Sequence, residues 1–317
     1  MRKILRTTLA TVAGLTMTAV ASTPVLAQAD PPGQTAAPDI SVDDVMGHLD
    51  RFQRIADANG GDRSSGSPGY AASADYVAES LEEAGFNVTR QTCTTCTSPD
   101  DNIIADWPGG DASSVIMLGG HLDGVRYGPG INDNGSGSAA LLEVALTLAE
   151  NDPATAKHVR FGWWADEERG LNGSQHYVAS GAANDVEAYL NFDMVGSPNA
   201  GYFLNGSQPY TDALGAHLTE SGKPPEPTQE CCTDDIPFQR AGIPTAGLFT
   251  GAGATKTPAQ AQKWGGTAYR PFDPCYHSSC DSYPSNINAE ALDIMSDAIA
   301  VGLWELAVDD SYSPARR

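Results

Sequence analysis

The feature that most constrains this 317-residue chain is an alternation of strand-like and helix-like segments that runs through most of its length. Short apolar, β-branched and aromatic runs occur at Phe86–Thr92, Asn102–Trp107, Ser114–Leu118, His158–Trp164, Val186–Phe192 and Pro244–Phe249. Between and after them, apolar residues recur at helical spacing over Ser136–Ala149, Leu171–Ala179, Thr211–Glu220 and Asn288–Ala307. Two helices are expected before the first strand. Ser41 followed by Asp44 reads as a capped start for a helix that Gly60-Gly61 ends near Ala58, and a second helix spans about Tyr70 to Ala84, stopped by Gly85. The pattern predicts an α/β fold: one domain with a mixed, mostly parallel central sheet flanked by helices. No internal repeat and no low-complexity linker divides the chain, and 41% hydrophobic residues suffice for a sizeable core. A largely disordered chain, a coiled coil and a collagen-like chain are excluded.

Residues 1–27 read as a secretory signal peptide. Arg2, Lys3 and Arg6 form a basic head, an apolar and small-residue run follows, and Val25-Leu26-Ala27 offers a small-residue cleavage site. Residues 28–36 read as a leader or short pro-segment, and 37–317 as the folded domain. No later run is long enough to span a bilayer. Net charge is −22, from 18 Lys and Arg against 40 Asp and Glu, and becomes −25 once three basic residues leave with the signal. Such a surface repels phosphate backbones and anionic lipid, so neither nucleic acid nor membrane is expected as a partner. An exported, soluble protein is expected. The six cysteines, Cys93, Cys96, Cys231, Cys232, Cys275 and Cys280, suit disulfides in an oxidising compartment, with 15 connectivities open. A cysteine-rich zinc site is the weaker reading, because adjacent Cys231 and Cys232 are poorly spaced for tetrahedral ligation.

Polar residues cluster where the strands end, which in open α/β sheets is where ligands bind. Gly119-Gly120-His121-Leu122-Asp123 follows one strand, Ala165-Asp166-Glu167-Glu168 another, and Asp193-Met194-Val195-Gly196 a third. Gly130-Ile131-Asn132-Asp133-Asn134-Gly135 precedes a helix, and Cys275-Tyr276-His277 lies in a loop. Taken singly, each acid here reads equally as a helix cap or a solvated charge. Together, His121, Asp133, Glu168, Asp193 and His277 offer two imidazoles and three carboxylates, a donor set that suits zinc. Three carboxylates against two Zn²⁺ leave one positive charge for a bound hydroxide to cancel, whereas a single zinc would leave the group negative. Two metals therefore require one bridging carboxylate, and Asp133 in its glycine-rich loop is the best placed. Asp123, two residues beyond His121, is positioned to orient that imidazole. Glu167, adjacent to Glu168, stays free as general base.

The segments Gly119-Gly-His-Leu-Asp123, Gly130-Ile-Asn-Asp-Asn-Gly-Ser-Gly137, Trp163-Trp-Ala-Asp-Glu-Glu168, Leu190-Asn-Phe-Asp-Met194 and Cys275-Tyr-His-Ser-Ser-Cys-Asp281 resemble, in order, those of the secreted bacterial double-zinc leucyl aminopeptidases. The likeness extends from Ala37-Pro38-Asp39-Ile40 to the final helix, through Gly247–Gly253 and Ala259–Gly266. It implies a zinc-exopeptidase sandwich. His121 and Asp193 would hold one zinc, Glu168 and His277 the other, with Asp133 between them. Glu167 would serve the attack of zinc-bound hydroxide as general base. Tyr276 would stabilise the oxyanion, and Phe249 would wall the pocket for the first side chain. Peptides with a free N-terminus, preferably Leu, Phe or Met, would be the substrates, and a monomer is expected. The resemblance also implies a Ca²⁺ site of Asp39, the Ile40 carbonyl, Asp293 and Asp297; the last two share a helix face. Within the same likeness a Cys275–Cys280 disulfide is expected around Tyr276 and His277. The remaining four cysteines form two clusters that close relatives lack, and a cross-link from Cys93/Cys96 to Cys231/Cys232 is expected.

The chain departs from the likeness at one place. Close relatives carry Gly-Arg-Ser-Asp-His where this chain reads Cys231-Cys232-Thr233-Asp234-Asp235, so an arginine able to contact substrate is missing and an extra acid is added. A related carboxypeptidase, deacylase or glutaminyl cyclase, and a binding domain with a dead site, are the competing readings. The first group's two-domain members need a lid between the last two metal segments; only 84 positions separate Asp193 from His277, and they already carry sheet and helix. The second needs lost ligands, and none is lost.

Overall fold

The computed structural model describes residues 36–228 and 233–308. The signal peptide and residues 28–35 of the leader, like Cys231 and Cys232, lie outside the described residues.

Two helices lead the fold, α1 (Val42–Ala58) and α2 (Pro68–Glu83), each opened by a serine whose hydroxyl accepts an N–H three residues on: Ser41 from Asp44 at 3.3 Å and Ser67 from Tyr70 at 3.0 Å. Strands β1 (Asn87–Thr92), β2 (Asp101–Asp106) and β3 (Asp111–His121) follow, then α3 (Gly137–Asn151), β4 (Lys157–Trp164), α4 (Asn172–Ala179) and β5 (Val186–Phe192). The last part holds β6 (Phe203–Gly206), α5 (Tyr210–Glu220), α6 (Asp235–Arg240), β7 (Thr245–Phe249), α7 (Pro258–Trp264) and α8 (Ala289–Leu303).

The seven strands form one sheet in the order β1-β2-β4-β3-β5-β7-β6. β4, β3, β5 and β7 run parallel, and antiparallel strands close both edges. The chain leaves β3 for β4 on one side and returns past it to β5 on the other, so β3 marks the point at which the winding reverses. The mixed, mostly parallel α/β sheet expected from the sequence is the one observed.

Alternation along the central strands divides the core into two layers. Ile116 and Leu118 of β3, Phe161 and Trp163 of β4, and Leu190 and Phe192 of β5 point into the larger layer, shared with α1, α2, α3, α5 and α8. Val115, Met117, Trp164 and Tyr189 point the other way and pack with Tyr177 of α4 and Phe238 of α6. There the Tyr189 and Phe238 rings stack at 3.9 Å, and Trp164 Nε1 donates to the Tyr189 hydroxyl at 2.8 Å, so no buried polar group of these aromatics is left without a partner.

Three elements escape the sequence pattern: β6 is four residues long, and α6 and α7 are six and seven, too short for a helical period to show. β3 runs three residues beyond its expected end at Leu118. The two glycines allow this: a Cβ on Gly119 would lie 2.8 Å from the Gly162 carbonyl oxygen, so only glycine lets β3 continue beside β4 and carry His121 on its last position.

The Cys275–Cys280 disulfide is present. The expected link from Cys93/Cys96 to Cys231/Cys232 is overturned, because Cys93 and Cys96 bond to each other. A turn with the Cys96 N–H on the Cys93 carbonyl brings their Cα atoms to 5.4 Å, inside the range a disulfide spans. Among the described residues no helix is long and apolar enough to cross a membrane.

Candidate metal centre

His121 ends β3, Glu167 and Glu168 form a short turn after β4, and Asp193 follows β5, so three adjacent parallel strands deliver side chains to one edge of the sheet. Asp133 enters from the coil before α3, and His277 from the disulfide-closed loop. Two groups of three result: His121, Asp133 and Asp193; and Asp133, Glu168 and His277. In the first, His121 Nε2 lies 3.4 Å from both Asp133 Oδ1 and Asp193 Oδ1. In the second, His277 Nε2 lies 3.1 Å from Asp133 Oδ2 and 3.0 Å from Glu168 Oε2. Each oxygen of Asp133 thus faces a different group.

This donor set fits zinc. Tetrahedral ligation with bonds of 2.0–2.1 Å sets neighbouring ligand atoms about 3.3 Å apart, close to the spacings observed. Asp193 Oδ1 and Glu168 Oε1 are buried and accept no hydrogen bond from the protein, a costly condition for a carboxylate unless a cation satisfies it. By the protein's charges alone the group is strained. Burial, with Asp133 adding to it, pushes the Glu168 carboxyl up to about 7, and burial pushes Glu167 well above the usual carboxylate range. Hydrogen bonds to Asp133 and Glu168 raise the His277 imidazole to about 10.

A frame of hydrogen bonds fixes these side chains. His121 Nδ1 is 2.9 Å from the Asp123 carbonyl oxygen, which assigns the proton to Nδ1 and leaves Nε2 for the cluster. Asp123 therefore meets His121 through its backbone carbonyl, with its carboxylate Oδ1 3.6 Å from the same Nδ1, and that Oδ1 also accepts the Glu167 N–H at 3.1 Å. Asn134 joins two strand ends: its Nδ2 donates to the Phe192 carbonyl at 2.9 Å, and its Oδ1 accepts from Met194 N and Gly137 N, both at 3.0 Å. The approach is so close that a Cβ on Gly137 would meet the Phe192 oxygen at 2.3 Å. Asp281 accepts from Asn132 N at 2.7 Å and Asp133 N at 3.0 Å, which ties the disulfide loop of His277 to the loop of Asp133. Buried Arg63 donates to the carbonyls of Leu122, Pro129 and Gly130 at 2.7, 2.8 and 2.5 Å, pinning both ends of the loop that links His121 to Asp133. Asp166 accepts from Thr97 N at 2.6 Å, so the Cys93–Cys96 turn braces the residue before Glu167.

Asn134 and Asp281 stood inside the sequence motifs without an assigned part, and Arg63 stood outside them. It sits in a polar run, Asn59-Gly60-Gly61-Asp62 before it and Ser64-Ser65-Gly66 after it, which reads as a solvated loop and gives no sign that the side chain is buried.

The other expected residues fall as follows. Glu167 lines the cavity outside both groups, with Oε2 3.9 Å from His121 Nε2. Tyr276 lines it too, stacked on the His277 ring at 3.8 Å, and Phe249 forms part of its wall. The cavity measures about 490 Å³. Asp39, Asp293 and Asp297 lie near enough for their charges to act on one another, but they do not converge as the two groups above do. The Ile40 N–H donates to Asp297 Oδ1 at 2.8 Å, and His217 Nε2 lies 3.8 Å from Asp297 Oδ2.

Comparison with known proteins follows the same direction. The family model described as peptidase family M28 matches residues 102–302. Leupeptin-inactivating enzyme 1 of Streptomyces exfoliatus is 48% identical over 324 residues, covering 99% of this chain and 73% of that protein. An aminopeptidase of Pseudomonas aeruginosa is 44% identical over 236 residues, covering 68% of this chain but only 44% of its own length. Among solved structures, a zinc aminopeptidase from Bacillus subtilis superposes with a TM-score of 0.71 over 88% of this chain and 98% of its own, at 17% identity, a likeness of fold.

Asp281 touches no ligand atom of the two groups, yet it holds the backbone of Asp133. Asp281→Ala should weaken zinc retention by about 10–100-fold in chelator competition, with the fold preserved by circular dichroism. Unchanged retention would show that Asp133 is held by other means.

Proposed function

Because the chain belongs to peptidase family M28, we propose that it is an exported di-zinc aminopeptidase that removes N-terminal residues, large hydrophobic ones among them, from peptides. The observation that carries this reading is the sharing of Asp133 between two imidazole-carboxylate groups, with Glu167 left over beside them.

His121, Asp133 and Asp193 would hold one zinc and Asp133, Glu168 and His277 the other. When bound, the pair supplies Lewis acidity toward the scissile carbonyl and lowers the pKa of water. The protein's own contributions follow from where its groups stand. Glu167 would take the proton of the attacking water and pass it to the leaving amine, as a general base that then acts as acid. Its backbone is fixed by the Asp123 carboxylate, so its position does not depend on the metal ligands. The Tyr276 hydroxyl would donate to the developing oxyanion; burial holds that hydroxyl protonated by raising its pKa above the usual phenol range. Phe249, Leu248 and Ala252 supply an apolar wall for the first side chain. One chain supplies both groups, which agrees with a monomer, and the two disulfides suit an oxidising compartment after removal of a signal at 1–27.

The zinc-loaded protein should release aniline from leucine anilide and leave N-acetyl-leucine anilide intact; the reverse pattern would sink the aminopeptidase reading. Glu167→Gln should keep its metal and lose roughly 10²-fold or more in turnover. Near-normal turnover would remove Glu167 from the mechanism.

We also propose that Asp39, the Ile40 carbonyl, Asp293 and Asp297 bind Ca²⁺, pinning residues 39–40 to α8. Burial raises the Asp293 and Asp297 carboxyls and Asp39 raises them further, a cost that a divalent cation would relieve. Calcium should raise the melting temperature in a concentration-dependent way. An Asp293→Ala/Asp297→Ala variant should lose the response and keep its zinc; a persistent response would assign the ion elsewhere.

A further inference from the structure

The cavity does not stop at the metal groups. Asn191 of β5, Gly247 of β7 and Asn205 of β6 all line it, and they pair in register, Asn191 with Gly247 and Gly247 with Asn205. This row lies two residues behind Asp193, roughly 7 Å back along the strands. Gly247 leaves the middle of the row without a side chain, and a Cβ there would lie 2.7 Å from the Asn191 carbonyl oxygen. The cavity is therefore apolar beside the metal residues, at Leu248, Phe249 and Ala252, and polar at its far end.

Asp235, the first residue of α6, also lines this cavity. Gln239 Nε2 donates to its Oδ2 at 2.6 Å and to Thr245 Oγ1 of β7 at 3.0 Å, so the carboxylate is braced against the sheet. Its Oδ1 is buried and has no hydrogen-bond partner among the described residues. None of the described residues lining the cavity is a lysine or arginine. Burial pushes the Asp235 carboxyl up to about 6, and the charge of Asp193 adds to that. Asp133, Glu168 and Asp193 would be neutralised by the metals they would hold and Glu167 would have a proton to move, but among the described lining residues no lysine or arginine faces Asp235. A half-buried, braced carboxylate with one oxygen turned out of water and no lysine or arginine beside it gains from a cation brought in by the ligand.

We propose that Asp235 makes this cavity accept lysine or arginine as the first residue of the substrate. The proposal rests on the aminopeptidase reading and specifies its substrate class. The three or four methylenes of such a side chain would lie along Leu248, Phe249 and Ala252, and its charged head would reach toward the polar end of the cavity, whose lining includes Asp235. The same apolar wall still takes leucine, so the acid widens the range of substrates and does not replace it.

The test uses paired anilides that differ in charge and little in shape: lysine against norleucine, and arginine against citrulline. The zinc-loaded wild-type protein should favour the charged member of each pair in kcat/KM. Asp235→Asn, checked for zinc content, should lower the lysine-to-norleucine and arginine-to-citrulline ratios by about tenfold, as for a partly buried ion pair. A fall shared equally by charged and neutral members would assign Asp235 to the substrate's α-ammonium or to the fold, and would overturn the proposal; so would unchanged ratios. If the Asn variant loses zinc, Asp235→Ser and the wild-type ratios decide, and a wild-type protein that favours norleucine overturns it. A wild-type protein that cleaves no leucine anilide fails the aminopeptidase reading itself, before any variant is made.

Discussion

The site depends on one carboxylate having two environments. Asp133 Oδ1 faces His121 and Oδ2 faces His277, at 3.4 and 3.1 Å, so the two groups are a single electrostatic unit. Moving Asp133 would spoil both. The surrounding structure is built to prevent that movement: Asp281 accepts the Asp133 N–H, Asn134, the next residue, donates to carbonyls at the ends of β3 and β5, and Arg63 spends its guanidinium on three carbonyls of the neighbouring loop. These partners bury charge and polarity at a cost that only complete hydrogen bonding offsets.

The sheet explains why such a unit can be assembled from distant sequence. β4, β3 and β5 are parallel neighbours, so their carboxyl ends bring residues 121, 167, 168 and 193 to one edge without any long excursion of backbone. Asp133 and His277 come instead from segments outside the strands, and such segments need restraint. The Cys275–Cys280 disulfide closes the His277 loop, and Asp281 immediately beyond ties it to the Asp133 coil. On the opposite side the Cys93–Cys96 turn braces Asp166, whose neighbours are Glu167 and Glu168. Both disulfides therefore act next to reactive residues, where local order matters most to the chemistry.

Much of this was legible in the sequence, for physical reasons. Apolar periodicity revealed every strand and helix long enough to show a period, and strand ends revealed the acids and imidazoles. What stayed hidden depended on partners far away in the chain. β6 reads as a loop until β7 pairs with it, and β3 reads as ending at Leu118 until β4 shows that Gly119 and Gly120 must lie close beside it. Asp123 was expected to orient His121 through its carboxylate; that carboxylate lies 3.6 Å from Nδ1, and the shorter contact, at 2.9 Å, is to the backbone carbonyl of the same residue, which residue type cannot reveal. The expected link from Cys93/Cys96 to Cys231/Cys232 failed because a local turn outweighed pairing between clusters. Asp235, noticed only as an extra acid, acquires its meaning from Gln239, the open row at Gly247 and the lack of lysine or arginine among the described lining residues.

The central claim is that two metals rest on one shared side chain, and zinc content in two folded variants tests it most directly. Equilibrium dialysis followed by metal analysis should find two zincs per wild-type chain, one in His277→Ala, and essentially none retained in Asp133→Asn under the same buffered zinc. An Asp133→Asn protein that still holds two zincs would contradict the account, because the two sites would then be independent of the carboxylate on which everything else here converges.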